Sequence, residues 1–305
     1  MTRTHPHGTS ESAPTGTPAN AGQQDDTFVQ EWRQWHRAHE QALADPHGFL
    51  AVTGLHWLTG QPQRFAGVPG QWQTGPDGVV VDLAGGEEIT IDGRAVTGRY
   101  GFGPIEERGG VTVGIDGGVL EVARRGGHDI LRPRHPDNPL RTAFRGTPAY
   151  PPSVRWVLSG RYVPFESPRP TTVGAAVEGL QHVYDAPGRV EFAVDGVPLS
   201  LTAFNGRSPG SLLVLFTDAT SGVTTYAANR SLAVDAPDER GTVTVDFNRA
   251  TNLPCAYTDF ATCPLPPAEN RLSVAIEAGE KIPYERLAAG DPAQPSPAPT
   301  TGRKS

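Results

Sequence analysis

Residues Thr242–Glu277 read TVTVDFNRATNLPCAYTDFATCPLPPAENRLSVAIE. At the start of this stretch Val243, Val245 and Phe247 alternate with Thr244 and Asp246, and at its end Leu272, Val274 and Ile276 alternate with Ser273 and Ala275. A period of two marks a half-buried strand, so both flanks are predicted to be strands. Between them Asp246–Asn270 far exceeds the roughly two to five residues of a hairpin loop, and so long a connection in a compact domain is functional or disordered. Its composition excludes disorder. The stretch has no glycine, it carries apolar Leu253, Tyr257, Phe260 and Leu265, and Pro254, Pro264, Pro266 and Pro267 fix φ and lower the entropy lost on ordering. The loop reads as a rigid lid ringed by Asp246, Asn248, Asn252, Asp259, Glu269 and Asn270. Such side chains either close turns through their own backbone or line a site.

Working outward from the lid, the second half of the chain predicts strands at Val154–Phe165, Thr171–Ala176, Val190–Val194, Pro198–Ala203, Leu212–Phe216, Val223–Ala227, Thr242–Phe247 and Leu272–Glu277, with Asp195-Gly196 as a hairpin turn. The first half predicts shorter ones at Gly70–Thr74, Val79–Leu83, Glu88–Ile91, Arg94–Thr97, Val111–Ile115 and Val119–Arg124, with Asp92-Gly93 as a turn. One helix precedes them: Asp26 is a cap, and Phe28, Trp32, Trp35 and Leu43 recur at helical spacing until Asp45, Pro46 and Gly48. His36 and His39 sit near that aromatic face without a partner at a metal-binding offset. Phe49–Gly60 is apolar and does not declare itself helix or strand. The fold class expected is all-β, mainly antiparallel sandwich or barrel, with one N-terminal α-helix and two β modules. The expected divisions are a disordered tail over 1–25, the helix with a small β module over 26–127, a larger β domain over 128–286, and a second tail over 287–305.

His128–Pro152 is read as a basic connector. Its Arg132, Arg134, Arg141 and Arg145 either pair with carboxylates between the sheets or form an anion pocket, since the guanidinium fork suits both.

Composition bounds the function. A chain of 305 residues with 36 Gly and 30 Pro suits short strands and tight turns, and a formal net charge of −7 argues against a nucleic-acid binder driven by phosphate neutralisation. No apolar run reaches the roughly eighteen residues of a membrane span, and the N-terminus lacks the apolar core of a secretory signal, so a cytoplasmic protein with no membrane partner is expected. Two cysteines, Cys255 and Cys263, are too few for a disulfide framework or a zinc site, no P-loop, Rossmann glycine fingerprint or HExxH motif occurs, and cofactor and metal dependence are not legible. Gly206–Gly210, GRSPG, matches the nucleophile-elbow pattern, but a strand follows where a helix is required, and Pro209 removes an oxyanion-hole N–H.

LFTDATSGVTTYAANRSL (Leu215–Leu232) followed by VDFNRATNLPCAYTDFATCPLPPAENRLSVAIEAGE (Val245–Glu280) resembles the bacterial family known as domain of unknown function 1684 in its long form. PLRTAFRGTPAYPPSVRWVLSGRYVPF and GFLAVTGLHWLTG extend the resemblance, so that it covers Phe28–Lys281. It implies no activity. Where many relatives read Tyr-Gly and then Gly-Arg, this chain has Ala227, Ala228 and Asn229 before Arg230, so no left-handed turn is obligatory there.

Three functional readings follow. In the first, a small polar or anionic molecule binds in a pocket capped by the lid. Asp218, Tyr226, Arg230, Asn248, Asn252, Tyr257 and Asn270 are its ligand-binding residues, and Asp246 or Glu269 its acid or base in hydrolytic chemistry. The second makes Cys255 a nucleophile or redox thiol, helped by His135 or His182. The third gives the same residues a purely structural role. Oligomeric state is not legible.

Overall fold

Alternation of apolar and polar residues resolves into seventeen strands in the computed structural model, which describes residues 19–289. The first ten are β1 (His56–Trp57), β2 (Gln63–Phe65), β3 (Val68–Gly75), β4 (Gly78–Asp82), β5 (Ile89–Ile91), β6 (Arg94–Val96), β7 (Arg99–Gly103), β8 (Gly110–Ile115), β9 (Gly118–Arg125) and β10 (His128–Arg134). They form two antiparallel sheets, β1-β10-β9-β8-β5-β6 and β2-β3-β4-β7. Trp72, Val79 and Val81 of the smaller sheet pack on Val113, Leu120, Val122 and Leu131 of the larger, which gives this module a sandwich core. Asp92 (φ 48°) and Gly93 (φ 77°) both turn left-handed, as a two-residue hairpin demands of a right-twisted strand pair.

The second module is one sheet of β11 (Val157–Gly174), β12 (Gln181–Val194), β13 (Val197–Asn205), β14 (Leu212–Phe216), β15 (Arg230–Val234), β16 (Thr242–Asp246) and β17 (Thr251–Asn252), in the order β16-β11-β12-β13-β14-β15-β17. In β11 the register shifts between Pro164 and Arg169, where prolines lack the N–H a ladder needs. β16 comes back against β15, so the sheet curls almost shut around Phe192, Phe216 and Phe247, whose rings meet edge-on at 5.4–5.5 Å. The mainly antiparallel, all-β architecture is as the sequence predicts.

Three α-helices accompany the strands among the described residues: α1 (Ala19–Leu43), α2 (Pro139–Thr142) and α3 (Tyr284–Ala289). The long helix starts at Ala19 rather than Asp26, and it lies against the second module, not the first. Its Trp32 Nε1 donates to the Asn248 carbonyl at 2.7 Å, and the Arg249 guanidinium covers the Trp35 ring at 5.4 Å. The rest of the two expected tails lies outside the described residues.

Three segments depart from the alternation pattern. The supposed connector begins with a strand, β10, paired to β9 on one side and β1 on the other. The LSVAIE segment is not a strand: its N–H groups turn to unlike partners, Leu272 to the Thr217 carbonyl at 2.8 Å and Ile276 to Asp218 Oδ2 at 2.6 Å. Val223–Ala227 is not one either, because the Thr220 carbonyl collects the N–H groups of Val223, Thr224 and Thr225 into a tight turn, and the return strand starts at Arg230. Phe49–Gly60 contains a 3₁₀ turn, Phe49–Ala51, and then β1. The positive-φ residues other than glycine are Asp92, Arg108 and Asp195 among the described residues, so the Ala227–Asn229 approach to Arg230 is ordinary right-handed backbone.

Candidate functional site

Asp218 leaves the end of β14 and Arg230 opens β15, and they meet at 3.3 Å, both buried. Asp218 also accepts from Thr220 Oγ1 (2.8 Å), Ser221 Oγ (3.1 Å) and the Ile276 N–H (2.6 Å), while Arg230 donates to the carbonyls of Ala278 and Ile276. Burial pulls the guanidinium below its ordinary pKa against the pull of Asp218. This pair is a lock that fastens segment 276–278 across the barrel. Asn270 does similar work between β13 and β14: its Oδ1 accepts the Thr202 N–H at 2.7 Å and its Nδ2 donates to the carbonyls of Thr202 and Leu215, each at 2.8 Å. Asn248 binds both the N–H (2.8 Å) and the carbonyl (3.0 Å) of Ser153, fixing the entry to β11.

The two carboxylates expected to be acid or base are otherwise engaged. Asp246 caps the turn after β16, accepting from the Asn248 N–H (3.1 Å) and Nδ2 (2.8 Å) and pairing with Arg249 (3.3 Å). Glu269 is exposed and accepts from Thr202 Oγ1 at 3.0 Å. Asp218, Arg230, Asp246, Asn248 and Glu269 therefore do not line one cavity beneath Tyr257. The outer half of the lid does border an open pocket of about 280 Å³, between Leu265, Pro266 and Pro267 on one side and Thr217, Ala228 and Arg271 on the other, and none of the five lines it.

Nor does the structure activate Cys255. Its thiol is buried, and contact with Cys263 and burial both push its pKa up. His182 is occupied by the Thr262 carbonyl at 2.8 Å, and His135 stands beside Asp137 in the first module. Tyr226, half-buried against the same thiols, has its phenol pushed up by burial. Of the arginines, Arg132 and Arg134 do meet a carboxylate: with Arg125 they converge on Glu121 at 2.5–2.8 Å. Burial works against ionisation of Glu121, but Arg132 and Arg134 outweigh it and bring the pKa down to about 2. Arg141 is spent on the carbonyls of Ala44 and Pro136.

Beneath Tyr257 lies a different carboxylate, Glu280. The Glu280 N–H is held by the Ala250 carbonyl at 2.9 Å, which turns the side chain inward. Its Oε2 accepts from the Asn252 N–H (2.6 Å) and lies 3.5 Å from the Tyr257 hydroxyl, itself 2.8 Å from Thr147 Oγ1. One face of α1 brings His36 and His39, three residues apart and so neighbours on a helix, to the other oxygen: Nε2 of each stands 3.5 and 3.3 Å from Oε1. Trp32 stacks on His36 (4.7 Å between centroids) and Trp35 on His39 (5.8 Å), which fixes both rings. Glu40 lies 3.7 Å from His36 Nδ1 and accepts from the Thr147 N–H at 2.7 Å. Burial drives the Glu280 pKa up, but the two imidazoles and the Asn252 amide prevail and hold it below the usual carboxylate range. Burial and the Glu280 charge push the Tyr257 phenol well up.

What marks this cluster is unmet bonding. Ion-pair distances are satisfied, yet His36 Nε2, His39 Nε2 and Glu280 Oε1 make no hydrogen bond, and neither do Asn252 Oδ1 and Glu285 Oε2 nearby. Ten buried side-chain atoms of the described residues are in that state, and these are five of them. Buried polar atoms are nearly always bonded, so such a concentration calls for a catalytic, redox or solvent explanation. The His39 side chain is 25% exposed, whereas that of Glu280 is 1% exposed. No group of three or more His, Cys, Asp or Glu among the described residues is placed to hold a metal ion. Sequence reading sees Asn252, Tyr257 and both histidines but misses Glu280. The signal was the pair of histidines on one helix face; their carboxylate comes from the far end of the chain.

A curled β sheet locked by a buried Asp–Arg pair, with an imidazole–carboxylate cluster under one end, defines the kind of protein this is. Residues 142–281 match the model of the family described as "Protein of unknown function (DUF1684)", and the chain belongs to that family. The match takes in Thr147, Tyr257 and Glu280 but not His36 and His39, and is shorter than the Phe28–Lys281 span suggested by motif resemblance. Among solved structures, the chain is similar to the solution NMR structure of the uncharacterized protein from gene locus rrnAC0354 of Haloarcula marismortui, at 30% identity, covering 48% of this chain and 81% of that one, with a TM-score of 0.40. No curated protein matches. No helix among the described residues is long and apolar enough to cross a membrane.

Proposed function

We propose that the protein binds a small polar or anionic molecule beside His39 and carries out acid–base, hydrolytic chemistry on it, with Glu280 in place of the expected Asp246 and Glu269. The observation that carries this reading is the concentration of unbonded buried polar atoms around Glu280. With Nε2 of His39 turned toward Glu280, its Nδ1 is the atom left to take a proton from a ligand or from an attacking water. Glu280, ionised and shielded, stabilises the imidazolium that forms, while Trp35 holds the ring in place. Tyr257, kept protonated by burial, is a donor for negative charge developing on the ligand.

The test is a screen of chromogenic esters, amides, phosphoesters and glycosides with the purified protein, alongside ligand-observed NMR. One class should be turned over by wild type and slowed about 10²–10⁴-fold by His39→Gln, with the circular dichroism spectrum unchanged. Turnover at the wild-type rate in that variant, or no class bound or turned over at all, overturns the reading. A structural role is the second reading, favoured by the Asn270 network and by Asp218, both of whose oxygens are bonded. It predicts that His39→Gln lowers stability while nothing binds.

A further inference from the structure

We propose that Cys255 and Cys263 are a redox modification site that closes reversibly to an intramolecular disulfide. This inference is independent of the acid–base reading, although it concerns the same lid.

Both thiols are free and share one buried cluster with Ala261, and the Cys255 N–H donates to Cys263 Sγ at 3.3 Å. Their surroundings make them unequal. Burial works against a Cys263 thiolate, but the Cys255 N–H bonded to its sulfur and the charge of Arg132 favour it and bring its pKa down. Cys255 is pushed the other way by its neighbour Cys263 and by burial and stays a thiol. An electron-rich sulfur held against a protonated one is the arrangement of an attacking and a resolving cysteine. The backbone is also braced for the change: Arg286 donates from α3 to the carbonyls of Cys255 (2.9 Å) and Ala256 (3.1 Å) and pairs with Asp259 at 2.6 Å.

The oxidant is a peroxide, small enough to reach thiols that are only 3% and 7% exposed. The Cys263 thiolate attacks one peroxide oxygen, an S–O bond forms, the O–O bond breaks, and hydroxide leaves and takes up a proton as water. The Cys255 sulfur then displaces the hydroxyl of the sulfenic acid: an S–S bond forms, the S–O bond breaks, and the Cys255 proton leaves with the second water. Two thiols are oxidised by two electrons in all, and one peroxide is reduced to two waters. The bridge would close a loop containing Tyr257, whose backbone directly follows the Pro254–Ala256 turn, and so tighten the wall over Glu280.

The experiment treats the full chain with a small excess of hydrogen peroxide, blocks remaining thiols with N-ethylmaleimide after denaturation, and reads intact mass and peptide map. Wild type should lose two hydrogen masses, yield a linked 255–263 peptide, and return to the dithiol with dithiothreitol. In Cys255→Ser, a sulfenic-acid probe should label Cys263. In Cys263→Ser, Cys255 should stay unmodified over the same time. Wild type that keeps two maleimide-reactive thiols, that runs to sulfinic acid without a bridge, or whose Cys255→Ser variant leaves Cys263 unlabelled overturns the proposal; the wild-type measurement stands even where a variant fails to fold.

Discussion

Two buried carboxylates are tied to the same irregular segment, Asp218 by its bond to the Ile276 N–H and Glu280 as a member four residues further on, and each faces a basic side chain. Asp218 is surrounded by an arginine, two hydroxyls and a backbone N–H, with every donor aimed at it. Glu280 faces two imidazoles that come close without bonding, and one of its oxygens is left over. Residue type does not separate them. Saturation of the carboxylate does: both Asp218 oxygens are bonded and Arg230 Nε alone beside them lacks a partner, whereas at Glu280 one carboxylate oxygen and both imidazoles have unmet atoms. The first holds the chain in place, and the second leaves bonding capacity unused.

Three substitutions sharpen or break that contrast. The largest effect belongs to Asp218→Ala, which strands Arg230 in the interior without a counter-charge; urea unfolding should show a loss of about 3–5 kcal/mol. A loss under about 1 kcal/mol would mean that the lock is not what holds segment 276–278. Glu280→Gln keeps shape and most contacts, so a smaller cost of about 1–3 kcal/mol near neutral pH is expected. Because the folded-state pKa of Glu280 is depressed, its contribution is fully present above the unfolded carboxylate value of about 4.3 and fades as pH falls through the folded value. The stability gap between wild type and Glu280→Gln should therefore narrow in acid, and a gap that widens would reverse the assignment. The smallest effect is that of Glu269→Ala: with its carboxylate exposed and one hydroxyl bonded to it, stability should move by no more than about 0.5 kcal/mol and any activity should survive.

Much of the fold was legible because its strands obey a period of two. Leu212–Phe216 appears where the pattern puts it, and Asp92-Gly93 and Asp195-Gly196 turn as their φ preferences require. The same rule fails where side chains replace the ladder. LSVAIE alternates like a strand, but its Ile276 N–H is taken by Asp218. HDILRPR looks like a polar linker because Arg132 and Pro133 interrupt it, yet Glu121 neutralises the arginine and the strand runs through the sheet. The loop residues Asn248, Asn252, Tyr257 and Asn270 were legible as purposeful, though not their purposes. Glu280 was invisible because nothing within its own stretch distinguishes it; only folding brings His36 and His39 to it.

That pairing has a consequence for how the chain is made. On the ribosome α1 emerges long before Glu280, so Trp32, Trp35 and both imidazoles have no seat until almost all of the barrel has been synthesised. The nascent chain thus carries an unseated aromatic helix through most of its translation, and the closing of its last irregular segment completes the seat.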